Sequence, residues 1–218
     1  MTASWKGKKI LITAGPTYEP IDPVRFIGNR SSGKMGYALA EAFSDKGAEV
    51  IFIHGPLAFP VSLSNARTIS IETAEEMYLE TVKYFPECQV AVLAAAVADY
   101  TPAEYHSEKI KKGDDSFILK LRKTKDILST LGKMKQNGQI LVGFSLETEN
   151  EIENSRKKLI EKNCDMIVLN SLKDKGAGFG TDTNQITILE RNGTIIPFTL
   201  KSKKEVACDI LARIETML

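Results

Sequence analysis

Cysteine is scarce in this chain. Cys88, Cys164 and Cys208 form an odd set, far apart and without a CxxC pair. That excludes a disulfide framework and points to reduced thiols of a cytoplasmic protein. Neither His54 nor His106 lies near a cysteine in sequence, so the spacing of a structural zinc site is missing. An excess of charge of one sign is missing too. The 29 Lys and Arg residues against 28 Asp and Glu leave a formal net charge of +1. A nucleic-acid binder would be lopsided toward positive charge. No apolar run approaches the roughly 20 residues of a membrane span. No secretory leader pattern opens the chain, and there is no internal repeat, low-complexity tract or linker. What is present is 43% hydrophobic residues in 218 positions, ample for a buried core. A single domain over 1–218 is the expectation.

Short apolar runs mark the strands. "KKILIT" (8–13) ends in "AGPT", which reads as a buried strand entering a turn. From Gly33 to about Lys46 apolar residues recur at helical spacing, and Gly47 stops the helix. "EVIFIH" (49–54) and "RTISI" (67–71) are further strands. Thr73 is placed to cap a helix whose first turn carries Glu75 and Glu76, both favourable near its positive end. "QVAVLAAAV" (89–97) is the most continuous apolar run and suits a central parallel strand. "SFILKLR" (116–122) alternates, as a strand with one wet face does. "QILVGFS" (139–145) and "DMIVLN" (165–170) flank a charged helix from about Asn150 to Lys162. "QITILE" and "TIIPFTL" around "RNG" signal a hairpin, and a helix over about 202–217 ends the chain. Strands alternating with helices predict an α/β fold. It is Rossmann-like, with a mostly parallel sheet, helices on both faces and an antiparallel hairpin at one edge.

In such sheets ligands bind beyond the carboxyl ends of the strands. The loop after the first strand holds "GNRSSGKMG" (28–36), which spells most of a phosphate-binding P-loop. Met35 stands where a magnesium-binding Ser or Thr belongs, and three prolines separate the stretch from its strand. A Walker-type P-loop is therefore disfavoured. Two readings stay open here: Ser31 or Ser32 is simply an N-cap, or the helix start binds an anion. Asn29, Arg30 and Lys34 around it lean toward the anion.

Other candidates are weaker when read alone. Asp99 follows the central strand and either caps a turn or meets a ligand; its position favours the ligand. "EKIKK" (108–112) reads as a solvated basic run, although Lys109 could offset charge in a transition state. Lys158 and Lys162 share one helix face, which reads as a wet face. "GAGFG" (176–180) follows a late strand with no helix after it and reads as a loop. A dinucleotide fingerprint would follow the first strand, where "AGPTYEP" stands, so an ordinary NAD(P) oxidoreductase is disfavoured. A non-catalytic nucleotide-binding module is the remaining alternative.

Taken together, "ITAGPTYEPIDPVRFIGNRSSGKMG", "AAAVADYTP", "EKIKK", "GFSLET", "KKLIEKNCDMIVLN" and "GFGTDTN" strongly resemble the phosphopantothenate–cysteine ligase (phosphopantothenoylcysteine synthetase) family. They occur in family order and cover nearly the whole chain. The resemblance is to the bacterial form, which is often fused behind a flavin-dependent decarboxylase; no flavin domain is expected in this chain. It implies a two-step reaction in coenzyme A biosynthesis. The carboxylate of 4′-phosphopantothenate attacks the α-phosphate of CTP, with magnesium, and the amine of cysteine then displaces CMP. It also implies a homodimer.

The resemblance assigns roles to residues of this sequence. Asn29 and Lys109 would be catalytic, the first orienting the acyl-nucleotide and the second polarising it. Arg25 would meet the substrate phosphate from the neighbouring subunit, and Ala95, Ala96 and Asp99 would bind the substrate at the strand end. Gly15, Ser31, Gly33 and Gly36 would line the triphosphate. Ala94, Arg122, Lys123, Thr124, Lys125, Phe144, Lys158, Lys162 and Asn170 would complete the nucleotide side, and Asp99 would be near the metal. One departure stands out. Relatives commonly read K-N-P-D where this chain has Lys123-Thr124-Lys125-Asp126.

Overall fold

The computed structural model describes residues 5–111, 117–171 and 180–218. Its centre is an eight-stranded sheet. In chain order the strands are β1 (Lys9–Ala14), β2 (Glu49–His54), β3 (Ala66–Ser70), β4 (Val90–Leu93), β5 (Ile140–Glu147), β6 (Met166–Ser171), β7 (Ile186–Glu190) and β8 (Ile195–Pro197). In space they run β3-β2-β1-β4-β5-β6-β7-β8. The first six are parallel, and β7 and β8 add antiparallel at the edge. The order 3-2-1-4-5-6 is the doubly wound one, with its reversal between β1 and β4.

The two-residue period of the strands divides the core between two helical layers. Ile10 and Ile12 of β1 face α1 (Lys34–Asp45) and α5 (Lys203–Glu215), where Leu39, Phe43, Val206 and Ile210 are buried. Leu11 faces the other way, toward α2 (Ala74–Tyr84), α3 (Ile127–Met134) and α4 (Glu151–Glu161), through Met77, Leu131 and Leu159. Trp5 packs edge-on to Phe43 and donates to Glu215 at 2.7 Å, closing the chain's start onto α5. Thr73 and Glu76 form a reciprocal capping box at α2, as their spacing predicts, and Ser202 and Glu205 do the same for α5. Burial pushes the Cys88 and Cys164 thiols up to about 12, which suits inert core residues, while Cys208 is exposed.

Two strand expectations are corrected, one helix is added, and one of the two readings of the α1 start is excluded. The apolar run 89–97 is strand only over Val90–Leu93, because the backbone from Ala94 onward leaves the ladder. The described part of the alternating run 116–122 does not join the central sheet. It pairs only over Leu121–Lys123, all exposed, with the short strand Tyr100–Pro102. Residues 127–134 form a helix that short apolar spacing did not reveal; Asp126 caps it by accepting from Ser129 N–H at 2.8 Å. Neither Ser31 nor Ser32 caps α1. Gly33 occupies the cap in the left-handed region (φ 74°), with no side-chain hydrogen bond to the helix. Of the "GAGFG" stretch, only Gly180 falls within the described residues, and Lys112 also lies outside them.

Candidate active site

A cavity of about 780 Å³ opens at the carboxyl ends of the parallel strands, over the β1/β4 reversal. Its floor follows from how β1 ends. Gly15 has φ 78°, which turns the chain sharply after Ala14. Its carbonyl accepts from Ala96 N–H at 2.9 Å, and Thr13 Oγ1 accepts from Ala95 N–H at 3.3 Å. The alanine stretch after β4 is thus held against β1 by backbone bonds, and its methyl groups leave the cavity open. The chain then makes a hairpin arm, Tyr18–Pro20 with Phe26–Gly28, before α1 begins.

Asn29 stands at the root of this arm. Its Nδ2 donates to the carbonyls of Ala96 (3.0 Å) and Val97 (3.2 Å), tying the arm to the strand-end loop. Next to it α1 points its positive end into the cavity. No side chain caps this end and no acidic residue lies in its first turn. Ser31, Ser32, Gly33, Lys34 and Gly36 line the cavity there. A Cβ on Gly36 would sit 2.5 Å from the Ala14 Cβ, so only glycine lets α1 lie this close to β1. Gly15 does not line the cavity; it supports Gly33 from behind, within 3.2 Å of where a Cβ there would be.

The opposite wall comes from β5, α4 and the loop before α3. Phe144 lines it, and Lys158 reaches over from α4 to donate to the Phe144 carbonyl at 2.8 Å. Burial lowers the Lys158 pKa, partly countered by Glu147. Lys162 pairs with Asp126 at 2.7 Å. Burial opposes ionisation of Asp126, but the Lys162 ammonium and the Ser129 N–H outweigh it and hold its pKa below the usual range. Thr124 is fixed by its N–H to the Asp99 carbonyl (3.0 Å) and its hydroxyl to the Ala98 carbonyl (2.7 Å). Lys125 pairs with Glu75 of α2. The departure at 123–126 therefore still delivers Asp126 and a firmly held loop to the wall.

The structure brings most of the sequence candidates together. Asn29, Ser31, Gly33, Gly36, Ala94, Ala95, Ala96, Asp99, Lys123, Thr124, Lys125, Phe144, Lys158, Lys162 and Asn170 all line this one cavity. The wet-face reading of Lys158 and Lys162 is overturned, because both turn inward. Arg25, Lys109 and Arg122 stand outside the cavity. Arg25 pairs with buried Asp22 and donates to the Ile110 carbonyl at 3.0 Å; Ile110 N–H in turn reaches Asp22 at 3.2 Å. The loop carrying Lys109 is thus docked on the arm.

Among the cavity residues that sequence reasoning did not assign are Asn184 and Lys203, and Lys34, read only as a charge beside the helix start, lines the cavity directly. Buried Asn184 donates to Asn170 at 3.2 Å, a pairing set by the β6–β7 fold-back and invisible in one dimension. Lys203 did leave a signal, since a lysine at the first position of a helix opposes its dipole. Among the described residues no three Asp, Glu, His or Cys side chains converge on a metal position. A magnesium ion held by the protein alone therefore does not fit these residues.

Residues 5–218 match the family model of the DNA/pantothenate metabolism flavoprotein C-terminal domain. A cysteine/cysteine sulfinic acid decarboxylase from an unknown prokaryotic organism is 52% identical over 212 residues, 97% of this chain and 59% of that protein. The coenzyme A biosynthesis bifunctional protein CoaBC of Bacillus subtilis (strain 168) is 44% identical over 216 residues, 99% of this chain and 53% of that protein. The chain thus spans about half the length of the curated relatives it matches. The solved C-terminal domain of a CoaBC protein superposes with TM-score 0.84 at 43% identity, covering 98% of this chain and 97% of that one. A Streptococcus pneumoniae DNA/pantothenate metabolism flavoprotein gives 0.82 at 26% identity, over 97% and 100% of the two chains. The motif resemblance is borne out, and the chain belongs to the family of DNA/pantothenate metabolism flavoprotein C-terminal domains.

Proposed function

We propose that this chain joins 4′-phosphopantothenate to L-cysteine at the expense of CTP, through an acyl-CMP intermediate, in coenzyme A biosynthesis. One observation carries the reading. A single cavity holds an uncapped helix N-terminus on one wall and an aromatic residue with two lysines on the other, with Asn29 between them. The first wall suits phosphates, since free N–H groups and the helix dipole favour anions. The second suits a nucleoside. The relatives named CoaBC support the same pathway.

In the first step a carboxylate oxygen of the substrate bonds to the α-phosphorus, and the bond to the bridging oxygen breaks with release of pyrophosphate. In the second the cysteine nitrogen bonds to the acyl carbon, CMP leaves with the electron pair, and the amine loses a proton. No nucleophilic side chain is needed. The protein's task is to offset repulsion between two anions and to align them, which removes much of the entropic barrier. Asn29 has committed its Nδ2 to two carbonyls, so Oδ1 is the atom it offers to the substrate's amide or hydroxyl groups. Lys158 and Lys162 counter nucleotide charge, and Ala95 and Ala96 let the substrate approach the backbone. Asp99, which lines the cavity along with Asp126, is the carboxylate that would meet a magnesium ion carried by the nucleotide, and such an ion would offset phosphate charge.

Arg25 and Lys109 lie outside their own subunit's cavity, the first on the arm and the second on the loop docked against it, and the arm exposes Val24 and Phe26. We assign them to the site of a second copy in a homodimer. The bifunctional CoaBC relatives, of which this chain spans about half, support a chain fused to or partnered with a flavin-dependent decarboxylase, and we assign it to the cytoplasm.

The test is mass spectrometry of a reaction with 4′-phosphopantothenate, CTP and magnesium, with and without cysteine. The expected result is an acyl-CMP without cysteine, and its conversion to 4′-phosphopantothenoylcysteine when cysteine is added. Absence of both species with CTP and with ATP, in folded protein, refutes the reading.

A further inference from the structure

Two helices of one layer, α1 and α5, both begin with a lysine, and both lysines line the same cavity. Lys34 and Lys203 are each in a position that opposes its own helix dipole. Lys203 is also only 7% exposed, and lysine is rarely so buried without compensation. Its ammonium donates to the Thr181 carbonyl. The α5 end is closed by the Ser202–Glu205 capping box, whereas the α1 end has no side-chain cap. Lys34 pairs with Asp182 at 2.5 Å, but the Asp182 side chain is 84% exposed and sits at the rim. This part of the protein thus gathers two ammonium groups, an open helix N-terminus and the Ser31 and Ser32 hydroxyls.

We propose that Lys203, with Lys34, seats the two outer phosphates of the nucleoside triphosphate and holds the pyrophosphate as it leaves. The proposal deepens the ligase reading and rests on it. When the substrate carboxylate bonds to the α-phosphorus, the electron pair of the broken bond collects on the pyrophosphate oxygen. Two ammonium groups stabilise that charge where it develops. The cost of the arrangement is visible without ligand. Burial lowers the Lys203 pKa, Lys34 lowers it further, and Asp182 only partly opposes them. A polyanion at this place favours the charged form of both lysines. A triphosphate then extends from Phe144 and Lys158 across the strand ends to α1 and α5. The α-phosphate falls near Asn29 and the alanine stretch, where the carboxylate arrives.

The experiment titrates the folded protein with inorganic pyrophosphate, CTP and CMP, by calorimetry. Wild type should bind all three. Lys203→Met and Lys34→Met should each weaken pyrophosphate and CTP by roughly tenfold or more, as loss of a charge-assisted contact does, and change CMP far less. Lys203→Arg should keep most of the affinity. Lys204→Ala, whose lysine pairs with Glu41 away from the cavity, should behave as wild type. Unchanged pyrophosphate affinity in Lys203→Met overturns the proposal. So does an equal loss of CMP and pyrophosphate, which marks a structural role, and so does a wild type blind to pyrophosphate. If Lys203→Met fails to fold, Lys34→Met decides, and unchanged affinity there overturns it. Failure of the ligase reading shows separately, as missing acyl-nucleotide in wild-type protein that still binds pyrophosphate.

Discussion

Lys158 of α4 donates to the backbone carbonyl of Phe144 on β5 at 2.8 Å, and so spans the wall of the cavity from behind its aromatic side chain. The bond places a cation in a partly buried position, and desolvation there lowers its pKa. Lys158→Met removes one hydrogen bond, a loss of about 1 kcal/mol, and relieves a desolvation cost of similar size. Chemical denaturation should therefore show a change in unfolding free energy within about 1 kcal/mol, while the KM for CTP rises roughly tenfold. The pH dependence has a fixed sign. Between the lowered folded pKa and the ordinary 10.5 of the unfolded chain, the unfolded state binds more protons. Stability in the wild type should gain from Lys158 as pH rises through that window, and the gain should vanish in the methionine variant.

Asp126 does two things at once, accepting from Ser129 N–H to cap α3 and pairing with Lys162. Two variants separate them. Asn caps well, so Asp126→Asn should lose only the half-exposed ion pair, worth under about 1 kcal/mol. Asp126→Ala should lose about 1 kcal/mol more, measured by denaturant unfolding. The folded pKa of Asp126 is lowered, so its stabilisation is present above the unfolded carboxylate pKa and is lost as pH falls through the folded one. Acid unfolding of both variants should lack that component. Equal stability of Asp126→Asn and Asp126→Ala would dismiss the cap.

The α1–β1 approach makes Gly36 a stricter position than its place in a helix suggests. Alanine is the better helix former by about 1 kcal/mol, yet its Cβ would lie 2.5 Å from the Ala14 Cβ and 3.0 Å from the Ala14 Cα. Backbone cannot step aside as a side-chain tip can. Gly36→Ala should destabilise by about 1–3 kcal/mol and lower nucleotide affinity, because α1 carries its N-terminus into the cavity. Gly138→Ala is the control: φ is 84° there, and nothing lies within 4 Å of the new methyl. It should cost about 1 kcal/mol and leave nucleotide binding alone.

How far the sequence spoke depended on the range of the interaction. The strands β1, β2, β5 and β6, the Thr73 cap of α2, the helix α5 and the β7–β8 hairpin were all legible, because each is specified by residues within a few positions of one another. The placement of Asn29, Asp99, Phe144 and Lys158 around one cavity followed from motif resemblance joined to the rule about strand ends. The end of β4 was misread because Ala94 to Val97 are as apolar as the strand they follow. Only hydrogen bonding to Thr13 and Gly15 of another segment sets their path. At the start of α1 the serine-cap reading, one of the two left open, fails for a similar reason. Two serines are the usual caps, but the left-handed turn at Gly33 puts the glycine there instead. Lys203 and Asn184 meet the cavity only through the return of the last third of the chain, which no local pattern encodes.

Asn29 tests whether orientation or charge matters at the centre of the cavity. Its side chain is exposed, so Asn29→Ala should leave the melting temperature nearly unchanged. Turnover should fall by roughly a hundredfold or more, as removal of one positioned polar group in an active site does. Asn29→Asp should be no better. Its carboxylate would face the Ala96 and Val97 carbonyls at the 3.0 and 3.2 Å now bridged by N–H donors, and the repulsion should swing the arm away. An aspartate variant near wild-type activity would mean that Oδ1 alone suffices and that the two carbonyl bonds are incidental.

Arg25 and Lys158 should belong to the same active site only across two subunits. Arg25 is held on the arm by Asp22 and Ile110, outside the cavity that Lys158 lines. Arg25→Ala homodimers should be nearly inactive, and Lys158→Met homodimers, assayed at CTP well below their raised KM, should keep only about a tenth of wild-type activity. On mixing and exchange, half the dimers should be mixed, and each mixed dimer should contain one site built from an intact cavity and an intact partner arm. About a quarter of wild-type activity should therefore return, as two-fold symmetry with sites shared between subunits requires. If Arg25 served its own subunit's cavity, both sites of every mixed dimer would carry a defect and no activity would return. A mixture that stays inactive, with subunit exchange confirmed by native mass spectrometry, would place the arm in its own subunit's site and remove the shared-site assignment.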